Sequence, residues 1–213
     1  MKEYIIIMAD VIGSRDEDQA LLMADFKELV SGVNVSRKNT LVSPLTITLG
    51  DEFQGVLDNI KDAVNVVLDL EEAIVRNGKD FKLRYVIVEG LIETPVNTEI
   101  AYGMLGDGLT RARKYLENLK KDDLRFFFWL KDQPQKNALG NVFTALQDII
   151  DDWNPERDFY LVTAFLEFKD YKRVAMALQK ERSLMWKRKK NLKINAYFAL
   201  KEVASYIGGI QHA

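Results

Sequence analysis

Two short segments of the sequence carry carboxylates at positions where strands are predicted to end. Asp10-Val11-Ile12-Gly13-Ser14 follows an apolar run, and Gly50-Asp51-Glu52-Phe53 joins two strand-like stretches. Mg²⁺ prefers oxygen ligands and is usually held by one or two carboxylates together with substrate phosphates. A glycine-containing loop such as Val11–Ser14 can offer backbone N–H groups to phosphate oxygens. The two segments therefore predict a Mg²⁺ or Mn²⁺ site for a nucleoside triphosphate, with Asp10 and Asp51 holding the metal.

The elements around these segments predict an α+β fold with the ferredoxin-like order β-α-β-β-α-β. Apolar runs and alternating patterns indicate strands, whereas apolar residues at helical spacing indicate helices. The predicted strands are residues 4–9, 41–49, 53–57 and 81–88, and the predicted helices are residues 15–33 and 59–77, the second capped by Asn59. In this fold the first and third strands are antiparallel neighbours in the middle of the sheet. Asp10 and Asp51 should therefore converge at one end of the sheet.

Three segments of the chain resemble class III nucleotidyl cyclases. Met8–Ser14 is similar to their metal-binding first strand and loop, and Thr48–Phe53 is similar to their second metal-binding hairpin. The same hairpin resembles the GGDEF hairpin of diguanylate cyclases. Tyr102–Glu117 resembles the cyclase stretch in which a glycine-rich turn opens a helix that carries an Asn and an Arg. Over nearly its whole length, the chain resembles the SatD family of bacterial proteins.

The cyclase resemblance implies a set of ligand-binding residues in this chain. It makes Asp10 and Asp51 metal ligands, and it makes the backbone carbonyl of Ile12 a third ligand. Thr110 stands at the position of the cyclase Asn, and Lys114 stands at the position of the cyclase Arg, where it would neutralise phosphate charge. Lys lacks the bidentate fork of Arg, so these departures favour metal and phosphate binding over cyclisation.

The sequence leaves several alternatives open for this region. The two aspartates could be ordinary turn formers, and the basic residues near Thr110 could form a solvated helix face. Glu52 is predicted to be an exposed strand residue and not a ligand. The preferred function is a bacterial regulator or adaptor whose nucleotide-binding domain modulates a DNA-binding module. The alternatives are an active cyclase or related phosphoryl-transfer enzyme, which would work as a homodimer, and a scaffold without a ligand.

Positive charge is concentrated near the C-terminus. Residues 169–193 contain ten Lys or Arg residues and two acids, a net charge of +8, whereas the remaining 20 basic and 30 acidic residues give −10. Residues 171–192 resemble a helix-turn-helix that would bind double-stranded DNA. The residues predicted to project toward DNA are Arg182, Ser183, Trp186, Lys187 and Lys190. The turn has Gln179 where glycine is usual, and the alternative is a basic face that keeps the protein soluble or docks on the acidic half.

Composition bounds the remaining possibilities. The chain of 213 residues has no cysteine, which excludes disulfides, zinc ribbons and iron–sulfur clusters. Its one histidine, His212, is next to the last residue, which disfavours a histidine-based catalytic triad. The start of the sequence has no leader or membrane segment, so we expect a cytoplasmic protein. Two domains are predicted, residues 1–132 and 140–213, with an edge strand at 124–130 and a linker at 131–140. The last predicted helix, residues 196–207, either packs this second domain or pairs two chains.

Overall fold

The computed structural model describes residues 2–14, 18–121 and 123–210, which form five strands and eight helices. His212 therefore lies outside the described residues. In chain order the elements are β1 (Glu3–Val11), α1 (Gln19–Ser36), β2 (Leu41–Ile47), β3 (Glu52–Leu57), α2 (Ile60–Arg76), β4 (Leu83–Leu91), α3 (Asp107–Leu119), β5 (Phe126–Trp129), α4 (Gln133–Ile150), α5 (Pro155–Phe168), α6 (Tyr171–Ala177), α7 (Arg182–Asn191) and α8 (Ile194–Gly208). No helix within these ranges is long and apolar enough to cross a bilayer.

The five strands form one mixed sheet in the order β2-β3-β1-β4-β5. Strand β1 pairs antiparallel with both β3 and β4, and β5 pairs parallel with β4 at the edge. The prediction that the first and third strands are neighbours is confirmed, and so is the edge position of the strand within residues 124–130. The order follows from β1, whose seven residues from Ile5 to Val11 are all buried and therefore need a partner on each side.

The two faces of the sheet have different coverings. Side chains alternate along a strand, so Ile5, Ile7 and Ala9 of β1 join a core with α1 and α2, whereas Ile6 and Met8 join a second core with α3. Asp10 continues the row of Ile6 and Met8 and therefore belongs to the α3 face.

Helix α3 lies unusually close to the sheet because glycines meet at the contact. A Cβ atom added at Gly90 would lie 2.6 Å from the Cα atom of Gly108, and one added at Gly108 would lie 2.6 Å from Ile6 Cδ1. Real Cβ atoms do not approach backbone this closely, so larger residues would push the helix away from β4. The glycine pair thus sets the height of the first turn of α3 over the beginning of β1.

Caps define the helix boundaries, and one of them corrects the predicted linker. Asn59 caps α2 as predicted, since its Oδ1 accepts a hydrogen bond from the amide of Asp62 at 2.9 Å. Residues 131–140 do not form a linker, because α4 begins at Gln133. Asp132 caps this helix by accepting from the amide of Gln135 at 2.6 Å, and Pro134 lies in the first turn, where no amide donor is required.

The helices that follow the sheet pack back onto it. Helix α4 contacts β5, and α8 contacts both α2 and α4. One apolar core includes Phe128 of β5, Phe143 of α4 and Tyr197 of α8. The C-terminal helices therefore contact α2, the helix that follows the β2–β3 hairpin.

Candidate functional site

A row of three charged side chains crosses the sheet where β1 ends. The strand register places Asp10 opposite Glu52 of β3 on one side and opposite Arg84 of β4 on the other. Residues directly opposite in antiparallel strands point to the same face, which here is the face covered by α3. Asp10 is 2% exposed and Glu52 is 6% exposed. The sequence pattern did not provide this register, and Glu52 is buried beside Asp10, so the prediction that it is exposed was wrong.

Two basic residues of α3 and its C-terminal cap complete the group from above. Arg113 pairs with the Glu52 carboxylate. The Nζ atom of Lys120 lies 3.1 Å from Asp10 Oδ2 and 3.2 Å from Glu52 Oε1, so that one ammonium bridges both carboxylates. Arg113 and Lys120 are seven residues apart, which puts them on one face of the helix, two turns from each other. We call Asp10, Glu52, Arg84, Arg113 and Lys120 the sheet-end cluster.

The most buried cation of the cluster is Arg84. Its Nη1 atom donates to both oxygens of Asp10, at 3.2 and 3.1 Å, and only 11% of its side chain is exposed. Among the described residues, no group accepts a hydrogen bond from its buried Nε atom. Arg84 therefore keeps donor capacity beside the carboxylate that it pairs with.

Burial controls the electrostatics of the cluster. It raises the pKa of Asp10, because the charged form loses its hydration; Lys120 and Arg84 oppose this shift, and the nearby charge of Glu52 adds to it. Burial by itself would lower the pKa of Lys120, but its hydrogen bonds and charge interactions with Asp10 and Glu52 outweigh that effect and raise it. With all five groups ionised the cluster carries a net charge of +1, which the carboxylate of Asp51 at the same end of the sheet brings to zero.

The predicted phosphate loop, residues 11–14, lies beside the cluster. A backbone hydrogen bond joins this loop to the turn between β2 and β3. The amide of Val11 donates to the carbonyl of Asp51 at 3.0 Å, and the amide of Ile12 donates to the carbonyl of Lys82 at 2.9 Å. Ser14 Oγ donates to Asp51 Oδ2 at 2.6 Å. The end of β1 and the start of β3 therefore meet as the topology predicts, while the carboxylates of Asp10 and Asp51 have different partners. Because the Val11 and Ile12 amides are already bonded, phosphate binding by this loop would fall to Gly13 and Ser14.

Two other predicted ligand residues lie on the exposed side of α3. Thr110 and Lys114 are both exposed, and the Thr110 hydroxyl donates to the carbonyl of Gly106 in its own helix at 3.2 Å. The helical phase turns Arg113 toward the sheet instead. A sequence signal for Arg113 and Lys120 did exist, since both flank the apolar stripe of α3. That buried stripe consists of Leu109, Ala112, Leu116 and Leu119.

The donor atoms at this end of the sheet can bind a divalent cation only when an anion binds with it and provides further ligands. Two carboxylates, on Asp10 and Asp51, and the Ile12 carbonyl are hard oxygen donors of the kind that Mg²⁺ and Mn²⁺ use. Within the described ranges, no group of three or more His, Cys, Asp or Glu side chains forms a metal cage. The remaining ligands would come from water or phosphate, and phosphate would also offset the three cations of the cluster.

The predicted DNA-contacting residues share the exposed side of α7. Arg182, Ser183, Lys187 and Lys190 are exposed, Trp186 is 45% exposed, and the Lys190 ammonium lies 3.8 Å from the centre of the Trp186 ring. The other two basic residues of the helix bond to α5 and to the residue that caps it. Arg188 pairs with Asp158, and Lys189 Nζ donates to the carbonyl of Lys169 at 3.0 Å. Gln179, in the turn before α7, has a φ of 51°, the left-handed conformation that favours glycine.

These features define an α+β protein with a charged cluster buried at one end of its sheet. The model of the SatD family matches residues 4–207, and the chain belongs to that family. No curated protein sequence matches it.

Similar solved structures are cyclase domains. One is the catalytic core of a rhodopsin-guanylyl cyclase with converted specificity, in complex with ATPαS: it is 20% identical, the match covers 55% of this chain and 72% of the other, and the TM-score is 0.39. A bacterial light-regulated adenylyl cyclase is 12% identical over 72% of this chain and 81% of the other, with a TM-score of 0.43. An adenylate cyclase from Trypanosoma brucei is 14% identical over 53% and 66%, with a TM-score of 0.42.

Proposed function

We propose that this protein binds a nucleoside triphosphate together with Mg²⁺ or Mn²⁺ at the sheet end, and that it acts as a regulator. One observation carries the proposal: the hydrogen bond of 3.0 Å from Val11 to Asp51 holds two carboxylate-bearing strand ends against a glycine loop. Asp10, Asp51 and the Ile12 carbonyl would hold the metal, which would neutralise phosphate charge. Gly13 and Ser14 would offer amides to phosphate oxygens, with Thr110 and Lys114 at the outer edge.

The cations around Asp10 support a polyphosphate ligand. Arg84, Arg113 and Lys120 reach the sheet end from β4 and α3, and they exceed the carboxylates they pair with by one charge. A nucleoside triphosphate brings about four negative charges, which one divalent metal ion only partly cancels, so the three cations would attract the metal–nucleotide complex. The cluster is therefore better suited to a metal–nucleotide complex than to either component alone.

Thermal unfolding in the presence of ligands tests this proposal. A ligand that binds only the folded state stabilises it by about 2.7 kcal/mol at a hundredfold excess over its dissociation constant. We expect a rise in melting temperature that requires both Mn²⁺ and a triphosphate and disappears in Asp10→Asn. Lys27→Gln, an exposed residue of α1, serves as the control. If no triphosphate shifts the melting temperature of the wild-type protein, Asp10 and Asp51 have structural roles only and the proposal fails.

A second proposed activity is binding of double-stranded DNA by α6 and α7. The observation that favours it is the distribution of charge on α7: Arg188 and Lys189 bond to α5 and its C-terminal cap, while Arg182, Lys187 and Lys190 are exposed. Exposed Lys and Arg neutralise DNA phosphates, and Trp186 and Ser183 lie among them to contact base edges. Nucleotide binding at the sheet would then modulate this surface.

Charge reversal separates DNA binding from a merely solvated face. In the double variant Lys187→Glu, Lys190→Glu we expect affinity for duplex DNA to fall at least tenfold and the salt dependence to weaken. The matched control Lys27→Glu, Lys38→Glu changes net charge equally on exposed residues of the N-terminal half. If the α7 variant binds duplex DNA as tightly as this control, the DNA-binding proposal is wrong.

The cyclase alternative makes a different prediction about the same site. Such an enzyme would convert the triphosphate to a cyclic product with release of pyrophosphate, and it would do so as a homodimer. Incubation of the protein with Mn²⁺ and each triphosphate, followed by chromatography, measures the product directly. We expect binding without turnover, since Thr110 and Lys114 stand where the cyclase resemblance places Asn and Arg.

A further inference from the structure

Lys120 is the most weakly held member of the sheet-end cluster. Its side chain is 42% exposed, compared with 11% for Arg84 and 33% for Arg113, and it follows the last residue of α3. Its ammonium is nevertheless the one group that contacts both carboxylates, at 3.1 Å from Asp10 and 3.2 Å from Glu52. A cation in this position makes the contact that a metal ion would otherwise make, yet it can swing into water on its flexible stem.

We propose that Lys120 is an exchangeable counter-ion, which neutralises Asp10 and Glu52 in the empty protein and moves to the ligand's phosphates when a metal–nucleotide complex binds. This inference rests on the proposed function. It assigns to Lys120 a positioning role that makes metal binding and nucleotide binding depend on each other. The exchange breaks and forms only ion pairs and leaves every covalent bond unchanged.

The charges of the cluster explain why the exchange needs both ligand components. Bare Mn²⁺ binding to Asp10 and Asp51 would have to displace Lys120 and would leave Mn²⁺, Arg84 and Arg113 beside Asp10, Asp51 and Glu52, an excess of one positive charge. When the metal arrives with a triphosphate, the phosphates compensate that excess and also provide the displaced ammonium with a new partner. Lys120 therefore opposes metal binding in the absence of nucleotide and supports it in the presence of nucleotide.

The neighbouring residue Lys121 offers a matched control. It is also exposed and lies one position beyond Lys120, so the substitutions Lys120→Met and Lys121→Met remove the same charge and retain similar apolar length. Because Lys120 stands outside the helix at its C-terminal cap, Lys120→Met should leave folding intact, and a melting curve for each variant verifies this.

The experiment measures binding of Mn²⁺ to the full chain by electron paramagnetic resonance of the free ion. Titrations are made with Mn²⁺ alone and with Mn²⁺ plus a non-hydrolysable β,γ-imido triphosphate. For Lys120→Met we expect Mn²⁺ alone to bind at least tenfold more tightly than to wild type, and the enhancement of Mn²⁺ affinity by the nucleotide to fall at least tenfold. Lys121→Met should agree with wild type within about twofold, because solvent screens an exposed charge that has no role in the site.

The outcomes separate this inference from the proposed function. If Lys120→Met binds Mn²⁺ alone no more tightly than Lys121→Met, the counter-ion inference is overturned, even when the wild-type protein binds Mn²⁺ and nucleotide together. If the wild-type protein does not bind the nucleotide under any condition, the proposed function fails. Tighter binding of Mn²⁺ alone by Lys120→Met would then still support Lys120 as the competitor for the carboxylates.

Discussion

Two aspartates, one at the end of the sheet and one in the helical region, both have almost no exposed surface, yet their pKa values shift in opposite directions. Asp10 is 2% exposed and Asp158, in the first turn of α5, is 1% exposed. Each carboxylate faces two cations. Burial raises the pKa of Asp10, whereas hydrogen bonds from Arg157 hold the pKa of Asp158 below its usual range. Burial therefore dominates the pKa of Asp10, whereas hydrogen bonds dominate that of Asp158.

The surroundings of Asp158 explain its stability as an anion. Arg157 donates to it from Nε at 3.0 Å and from Nη2 at 2.9 Å, and the amide of Asn154 donates at 3.1 Å. Arg188 of α7 pairs with the same carboxylate. The N-terminal turn of a helix also favours negative charge. Asp158 thus joins α5 to α7, and protein hydrogen bonds and ion pairs compensate its charge.

The surroundings of Asp10 provide less compensation. Its neighbour across the strands, Glu52, carries a charge of the same sign, and Lys120 is 42% exposed and shared between the two carboxylates. A buried acid of this kind is retained at a cost to the fold, and such groups concentrate at functional sites. The comparison shows that a second carboxylate beside the buried acid, and one cation shared between the two, distinguish the sheet-end cluster from the ion pairs of Asp158.

Neutralising the two aspartates gives the largest expected difference. We expect Asp158→Asn to lower the free energy of unfolding by about 2 kcal/mol, because it removes charge-assisted hydrogen bonds and leaves Arg188 without its partner. Asp10→Asn should stay within about 1 kcal/mol of wild type, since removing a charge that burial disfavours offsets the loss of the ion pairs with Arg84 and Lys120. Urea unfolding at pH 7 measures both. Equal losses in the two variants would contradict the contrast.

Substitutions in two turns with left-handed backbone should change the free energy of unfolding by smaller amounts, and in opposite directions. Gly13, in the loop after β1, has a φ of 71°, and Gln179 has a φ of 51°. A side chain in this conformation costs about 1 kcal/mol. We therefore expect Gly13→Ala to destabilise the fold by about 1 kcal/mol, although open space surrounds its Cα. Gln179→Gly should stabilise the fold by up to about 1 kcal/mol. Thermal unfolding of both variants checks these signs.

The smallest expected effect is a difference between Asp10 and Asp158 in how their contributions to stability depend on pH. The lowered pKa of Asp158 means that its contribution is present above its unfolded pKa near 3.8 and is lost as the pH falls through its folded value. The raised pKa of Asp10 means that its contribution is present below 3.8 and is lost as the pH rises through its folded value. Urea unfolding from pH 3 to pH 7 should show Asp158→Asn approaching wild type as the pH falls. The free energy of unfolding of Asp10→Asn should increase relative to that of wild type as the pH rises.

The sequence was sufficient for the order of the strands and insufficient for the site. The apolar run of β1 and the helix cap at Asn59 are local signals, and both were interpreted correctly. The burial of Glu52 depends on the register between β1 and β3, and a shift of one residue would have turned its side chain to the other face.

Two further differences also have local physical causes. Arg113 reaches the sheet instead of Lys114, because the height and phase of α3 depend on the contact between Gly90 and Gly108. Pro134 was interpreted as a linker signal, although the same residue is favourable in the first turn of a helix after an Asp cap. In each case the pattern indicated a charged or turn-forming residue, and packing decided its role.

We propose that Asp10 binds a ligand, whereas Asp158 stabilises the fold. Titration calorimetry of Mn²⁺ with a non-hydrolysable triphosphate into wild type, Asp10→Asn and Asp158→Asn tests it most directly. We predict that Asp10→Asn loses the binding heat while remaining as stable as expected, and that Asp158→Asn binds like wild type despite its lower stability. Binding of the metal–nucleotide complex by Asp10→Asn with wild-type affinity would contradict the account.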